Sequence, residues 1–169
     1  MASPPRPDRL RLTIKALGHG SRLLQSIEVG TWVVAEGPDG AMTAARRTRR
    51  NVLLIAGGVG ITPMRTLFET IETRSGEDLV LLYRARDPQT TVFRDELDAL
   101  TTQRQARVIY LLGSNPDLLS ARSLGYLVPD TAQRDVYLCG LPGLAATVRS
   151  SLTELGLPSG HLHEERFSF

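Results

Sequence analysis

The sequence predicts an α/β protein: an open parallel sheet of about five strands in the order 3-2-1-4-5, helices on both faces, and a small N-terminal antiparallel β remnant. Three observations carry this. From Asn51 onward, apolar strand-like runs alternate with helical patterns, as in parallel strands joined by right-handed crossovers. Those runs are apolar throughout, which burial on both faces requires. Two of them, residues 52–56 and 136–139, end in glycine turns that open helices. In an open α/β sheet, such turns meet where the strand order reverses.

Residues 1–8 hold three prolines without periodicity and read as a mobile tail. Leu10, Leu12, Ile14 and Ala16 alternate with polar residues, so a half-buried strand is expected. Gly18, His19, Gly20 and Ser21 then lead into one or two helical turns, with Ser21 as N-cap. Residues 31–37 read as another strand, stopped by the Gly-Pro-Asp-Gly turn at 37–40. Residues 9–45 are thus a partial barrel remnant. Residues 46–50 form a basic linker, and 51–169 form the main domain.

In that domain, strands are expected at 52–56, 79–83, 107–111 and 136–139, with helices at 63–73, 93–101, 120–127 and 142–155. The closing stretch, 161–169, alternates and adds an edge strand. A length of 169 residues allows one domain plus a small extra piece. No apolar run is long enough to span a membrane, and the N-terminus lacks the apolar core of a signal peptide. The single cysteine, Cys139, excludes an internal disulfide framework, and a cytoplasmic setting is expected. A net charge of +2 gives no case for nucleic acid. Arg46, Arg47, Arg49 and Arg50 lack interleaved aromatics, so they read as a solvated hinge. His161 and His163 have no evident third ligand, so no metal site is expected.

Strand, glycine turn, helix is how an α/β protein builds a phosphate site. The turn brings an anion to the main chain, and the helix presents unpaired N–H groups. Gly57, Gly58, Gly60 and Thr62 form such a cradle, with Thr62 as N-cap and Pro63 at the first helical position. The competing reading is a turn whose glycines serve geometry alone. Cys139, Gly140, Leu141, Pro142 and Gly143 repeat the pattern. At the end of the second strand stand Arg84, Arg86 and Asp87. An arginine there favours a 2′-phosphate and an acid favours a free 2′-hydroxyl, so NADP(H) is favoured over NAD(H). The alternative is surface pairing of both arginines with Asp87 or Glu96.

Taken together, GGVGITP, LLYRARDPQTTVFRDEL, DVYLCGLPGL and HLHEERFSF, in this order, resemble the ferredoxin–NADP reductase superfamily. The likeness is to its ferric-reductase-like and phagocyte-oxidase-like flavin reductases, over residues 51–169. Residues before Asn51 resemble the end of the family's flavin-binding barrel. The resemblance implies hydride delivery from NAD(P)H to FAD, then electron transfer to an iron, haem or iron–sulfur acceptor. It places Cys139 beside the nicotinamide, Glu165 near the nicotinamide–flavin junction, Phe167 or Phe169 against the flavin, and Gly20 and Ser21 at the flavin pyrophosphate. Without the resemblance, Cys139 reads as a small buried apolar residue and Glu165 as a solvated edge charge. The family's Arg-x-Tyr-Ser flavin motif, or its Thr variant, does not occur here. FAD binding by this chain is therefore expected to be weak or absent, the chain alone inactive, and the barrel supplied in cis or in trans. Unpaired remnant strands would invite self-association. Other readings are a dinucleotide-binding regulatory module and a truncated fragment without catalysis. The resemblance also allows the cytosolic face of a membrane-anchored reductase when full length.

Overall fold

The computed structural model describes residues 10–36 and 42–166. One parallel sheet is built from β1 (Val52–Gly57), β2 (Leu79–Ala85), β3 (Ala106–Leu112), β4 (Asp135–Gly140) and β5 (Leu162–Arg166). Its order is β3-β2-β1-β4-β5, as the sequence predicts. Five α-helices accompany it: α1 (His19–Gln25), α2 (Ile61–Thr70), α3 (Arg94–Gln103), α4 (Ala121–Leu127) and α5 (Pro142–Glu154).

The all-apolar strands follow from burial on both faces. Along β1, Val52, Leu54 and Ala56 join a cluster with Met64, Phe68 and Leu97. Leu53 and Ile55 join a second cluster with Leu124, Val148 and Leu152. The two sets alternate along one strand, so α2 and α3 cover one face and α4 and α5 the other. Edge strand β3 is only partly covered.

The expected antiparallel remnant does not form among the described residues. Among the described residues no strand precedes Val52, and residues 10–18 and 31–36 have no ladder partners. α1 forms but buries none of its residues. Alternation makes a strand only where a neighbouring strand and a facing layer receive it, and Trp32 stays 98% exposed. The turn at 37–40, with Phe167 and Phe169, lies outside the described residues.

Arg46 and Arg50 of the basic linker are exposed, while Arg47 and Arg49 are tied down. Arg47 donates to the carbonyls of Arg49, Glu72 and Arg50 and to Glu77. Arg49 donates to the carbonyls of Ala132 and Arg134. Its backbone N–H and that of Thr48 donate to Asp135, each at 2.6 Å. The Asp135 side chain is fully buried and also meets His161 Nδ1 at 2.9 Å. Beside it, buried Arg134 pairs with Asp78 and Asp130. These polar groups close the end of the sheet where β1 and β4 begin. The opposite end is left to the glycine turns.

Candidate functional site

The two glycine turns are neighbours at the carboxyl ends of adjacent strands. Ala56 is in register with Cys139, so the turns after β1 and β4 face each other at the strand-order reversal. Glycine has different work at each position. A Cβ on Gly60 would stand 2.2 Å from the Cys139 carbonyl oxygen, so α2 begins in backbone contact with the end of β4. Gly57 and Gly140 both receive the side chain of Leu144. Gly58 alone of the four has a left-handed backbone, φ +56°, and open space above it. The cradle therefore narrows to Gly58 and the turn that follows.

That turn, Gly58–Gly60, is a 3₁₀ turn running directly into α2. Helical backbone thus starts earlier than expected. Thr62 and Pro63 are the second and third residues of α2, and Thr62 is not its N-cap. Proline is still tolerated in a first turn, where N–H groups lack helical partners. The correction leaves the Thr62 hydroxyl uncommitted to capping. Its Oγ1 is buried and has no hydrogen-bond partner. Pro142 does take the first position of α5, after Leu141. Leu141 is an exposed apolar lip on the crevice.

Cys139 and Glu165 are in register on β4 and β5. The Cys139 thiol is fully buried among the cluster that includes Ala56, Ile61 and Met64. Burial, with the nearby Glu165 carboxylate, pushes its pKa up to about 12. The thiol stays protonated, so Cys139 can shape and contact but does not act as a nucleophile.

Arg84 is in register with Gly57 on the other side of β1. Its guanidinium donates to the carbonyls of Ala85, Leu111 and Asn115 at 3.0–3.2 Å, tying the loop after β3 to β2. Asp87 caps the next turn by accepting the N–H of Thr90 at 2.9 Å. Neither arginine pairs with Asp87 or Glu96. Arg86 is exposed, with no side-chain partner among the described residues. Gly20 and Ser21 lie on α1, which buries none of its residues. Ser21 is the third residue of α1, not its cap, and its hydroxyl accepts the N–H groups of Leu17 and Gly18.

Leu144, which seats both turns, went unrecognised in the sequence. The stripe Leu144, Val148, Leu152 at helical spacing was the available signal. Among the described residues, no group of three or more His, Cys, Asp or Glu is placed to hold a metal ion.

A dinucleotide fits what is present. An open left-handed glycine admits a pyrophosphate to the main chain, the Gly58–Gly60 turn that leads into α2 offers N–H groups, and the buried Thr62 hydroxyl has no hydrogen-bond partner among the described residues.

Known proteins point the same way. The family described as oxidoreductase NAD-binding domain matches residues 54–150. The glycine betaine monooxygenase reductase subunit of Chromohalobacter salexigens is 26% identical over 98% of the chain and 49% of its own length. Ferredoxin–NADP reductase B of Sorangium cellulosum is 31% identical over 89% of the chain and 68% of its own length. The crystal structure of the flavohemoglobin from Malassezia yamatoensis, with bound FAD and heme, superposes with a TM-score of 0.74. It is 22% identical, covering 93% of this chain and 43% of that one, and shares the fold. The chain spans about half the length of the first of these relatives.

Proposed function

The chain belongs to the oxidoreductase NAD-binding domain family, within the ferredoxin–NADP reductase superfamily, and from that premise we propose that it binds a nicotinamide dinucleotide across the Gly58–Leu141 crevice, NADP(H) in preference to NAD(H). When bound, the nicotinamide supplies a hydride to FAD, from which electrons pass to an iron, haem or iron–sulfur acceptor. The chain's own residues bind and orient. The N–H groups of the Gly58–Gly60 turn hold the pyrophosphate, and Thr62 hydrogen-bonds the nicotinamide side. Cys139 keeps a neutral, apolar floor beside it. Glu165, level with Cys139 on the edge strand, sets the charge at the flavin side. The flavin-binding barrel comes in cis or in trans, as the named reductases suggest by their greater length.

The observation that carries this reading is the buried, partnerless Thr62 hydroxyl at the strand reversal. Thr62→Val tests it through two measurements of opposite sign. Removing an unpaired buried hydroxyl leaves thermal stability unchanged or slightly raised. NADPH affinity, measured by calorimetry, falls about tenfold, the worth of one hydrogen bond. A Thr62→Val protein that binds NADPH as the parent does would remove the hydroxyl from the site.

The 2′-phosphate falls to Arg86, since Arg84 is held by three carbonyls. Arg86→Ala is expected to weaken NADPH and 2′,5′-ADP by about tenfold or more while sparing NADH, because a charged hydrogen bond to phosphate is lost. Arg84→Ala is expected to weaken both dinucleotides alike and to lower the melting temperature. Equal loss of NADPH and NADH in Arg86→Ala would refute the assignment.

A second reading, a dinucleotide-binding module without turnover, is favoured by the exposure of α1, which buries none of its residues. Anaerobic addition of NADPH with FAD separates the two: bleaching of the flavin by the chain alone would exclude the module.

A further inference from the structure

Residues 10–36 meet the α/β unit through one described polar side chain, Arg11. Its Nη1 and Nη2 donate to both Glu96 oxygens at 2.8 and 2.7 Å. Its guanidinium also lies 5.0 Å from the Phe93 ring centroid. Arg65, nearly buried on α2, approaches the same ring at 5.7 Å. It pairs with the same Glu96 at 2.8 Å and with Glu69 at 2.9 Å. Phe93 is therefore flanked by two arginines. It is also the one non-glycine residue among those described with a positive φ, 64°. A bulky residue held there costs about 1 kcal/mol or more and persists where its surroundings require it. Here the backbone strain puts the ring under Arg11 and starts α3 so that Glu96 faces the fork.

We propose that Arg11 is a positioning residue: by forking onto Glu96 and stacking on Phe93, it fixes how the flavin-side segment 10–36 sits against the dinucleotide-binding unit. The inference rests on the proposed reading for what the segment is, not for the contact itself. An isolated exposed ion pair contributes little. This one has fork geometry, a nearly buried second arginine on the same carboxylate, and a ring below. No other described hydrogen bond, ion pair or ring contact joins residues 10–36 to the rest. Loss of Arg11 therefore releases the segment without disturbing the crevice at Gly58 and Thr62.

The test is ¹⁵N relaxation on the full chain. In the parent, the amides of Leu10, Arg11 and Leu12 are expected to have order parameters of about 0.8. In Arg11→Ala and in Glu96→Gln they fall below about 0.6. Glu96→Gln also weakens the Arg65 pair, so it mobilises these amides at least as much as Arg11→Ala, and the double variant behaves as Glu96→Gln. Arg11→Lys, which keeps the charge but loses the fork, lies between. Raising NaCl to about 0.5 M mobilises the parent but not Arg11→Ala, because a partly exposed pair is screened. NADPH affinity, measured on the same samples, is unchanged by Arg11→Ala. Unchanged order parameters in Arg11→Ala, or a parent already below about 0.6 there, overturn the proposal. Absence of NADPH binding in parent and variant alike would overturn the dinucleotide reading and leave the Arg11 contact standing.

Discussion

Gly60→Ala is expected to cost about 3 kcal/mol or more and to lower the melting temperature by about 6–12 °C. Dinucleotide affinity should fall at least tenfold with it. The added Cβ would stand 2.2 Å from the Cys139 carbonyl oxygen and 2.6 Å from its carbon. Both are backbone atoms of β4, which is hydrogen-bonded on either side, so no side-chain rotation relieves the clash. The start of α2 must move away, carrying Gly58 and Thr62 with it. Gly58→Ala makes the useful contrast. That position has open space and only its φ of +56° to oppose a side chain. Alanine there should cost about 1 kcal/mol while still crowding a bound pyrophosphate. Thermal unfolding and calorimetry on the two variants check both statements. A Gly60→Ala protein melting within about 2 °C of the parent would mean that α2 does not abut β4 as described.

The second large effect is expected at the other end of the sheet. Asp135→Ala should cost about 3 kcal/mol, because it strands buried donors. The N–H groups of Thr48 and Arg49 lose their acceptor, as does His161. The linker that leads into β1 then loosens. The effect has a defined pH dependence. Burial alone would push the Asp135 carboxyl up, but the donors from His161, Thr48 and Arg49 outweigh it and hold the pKa below the usual range. A carboxyl depressed on folding stabilises fully above its unfolded value, about 3.9. That stability is lost as pH falls through the folded value. The parent should therefore lose stability below about pH 4. The arginine-paired Asp78, Asp130, Glu77 and Glu96 are shifted in the same direction and add to the loss. Urea unfolding at pH 7 and pH 3 measures it: the gap between parent and Asp135→Ala narrows at the lower pH. A gap that widens instead would contradict the sign of the shift.

The alternation of strands and helices was legible because it rests on local signals, and the order 3-2-1-4-5 is the one that makes the two glycine turns neighbours. Residues 52–56 and 136–139 are apolar without alternation, and each ends in a glycine turn before a helix. Those features are set within a few residues of chain. The antiparallel remnant failed for the converse reason. Alternation in residues 10–16 describes a strand that would be half-buried if a sheet were there to receive it, and no neighbour is. Ser21 and Thr62 were misread as caps because each helical backbone starts before the residue with the best capping side chain. The ties of Arg47 and Arg49 were not legible because their acceptors are mostly main-chain carbonyls, which a sequence does not display.

The sequence by itself determined the succession of elements along the chain, the two-sided burial of β1 and β4, and the two glycine turns that end them. Periodicity and turn chemistry are local, so they can be read along the chain. Only the tertiary structure decided which glycine faces open space, which arginine remains free, and which hydroxyl is left without a partner. Each answer depends on atoms from other segments: the Cys139 carbonyl against Gly60, the Asn115 carbonyl on Arg84, and the lack of a hydrogen-bond partner for Thr62 Oγ1 among the described residues. Hydrogen-bond satisfaction and close packing are properties of the assembled interior, and there they separate glycines and arginines that look alike in the sequence.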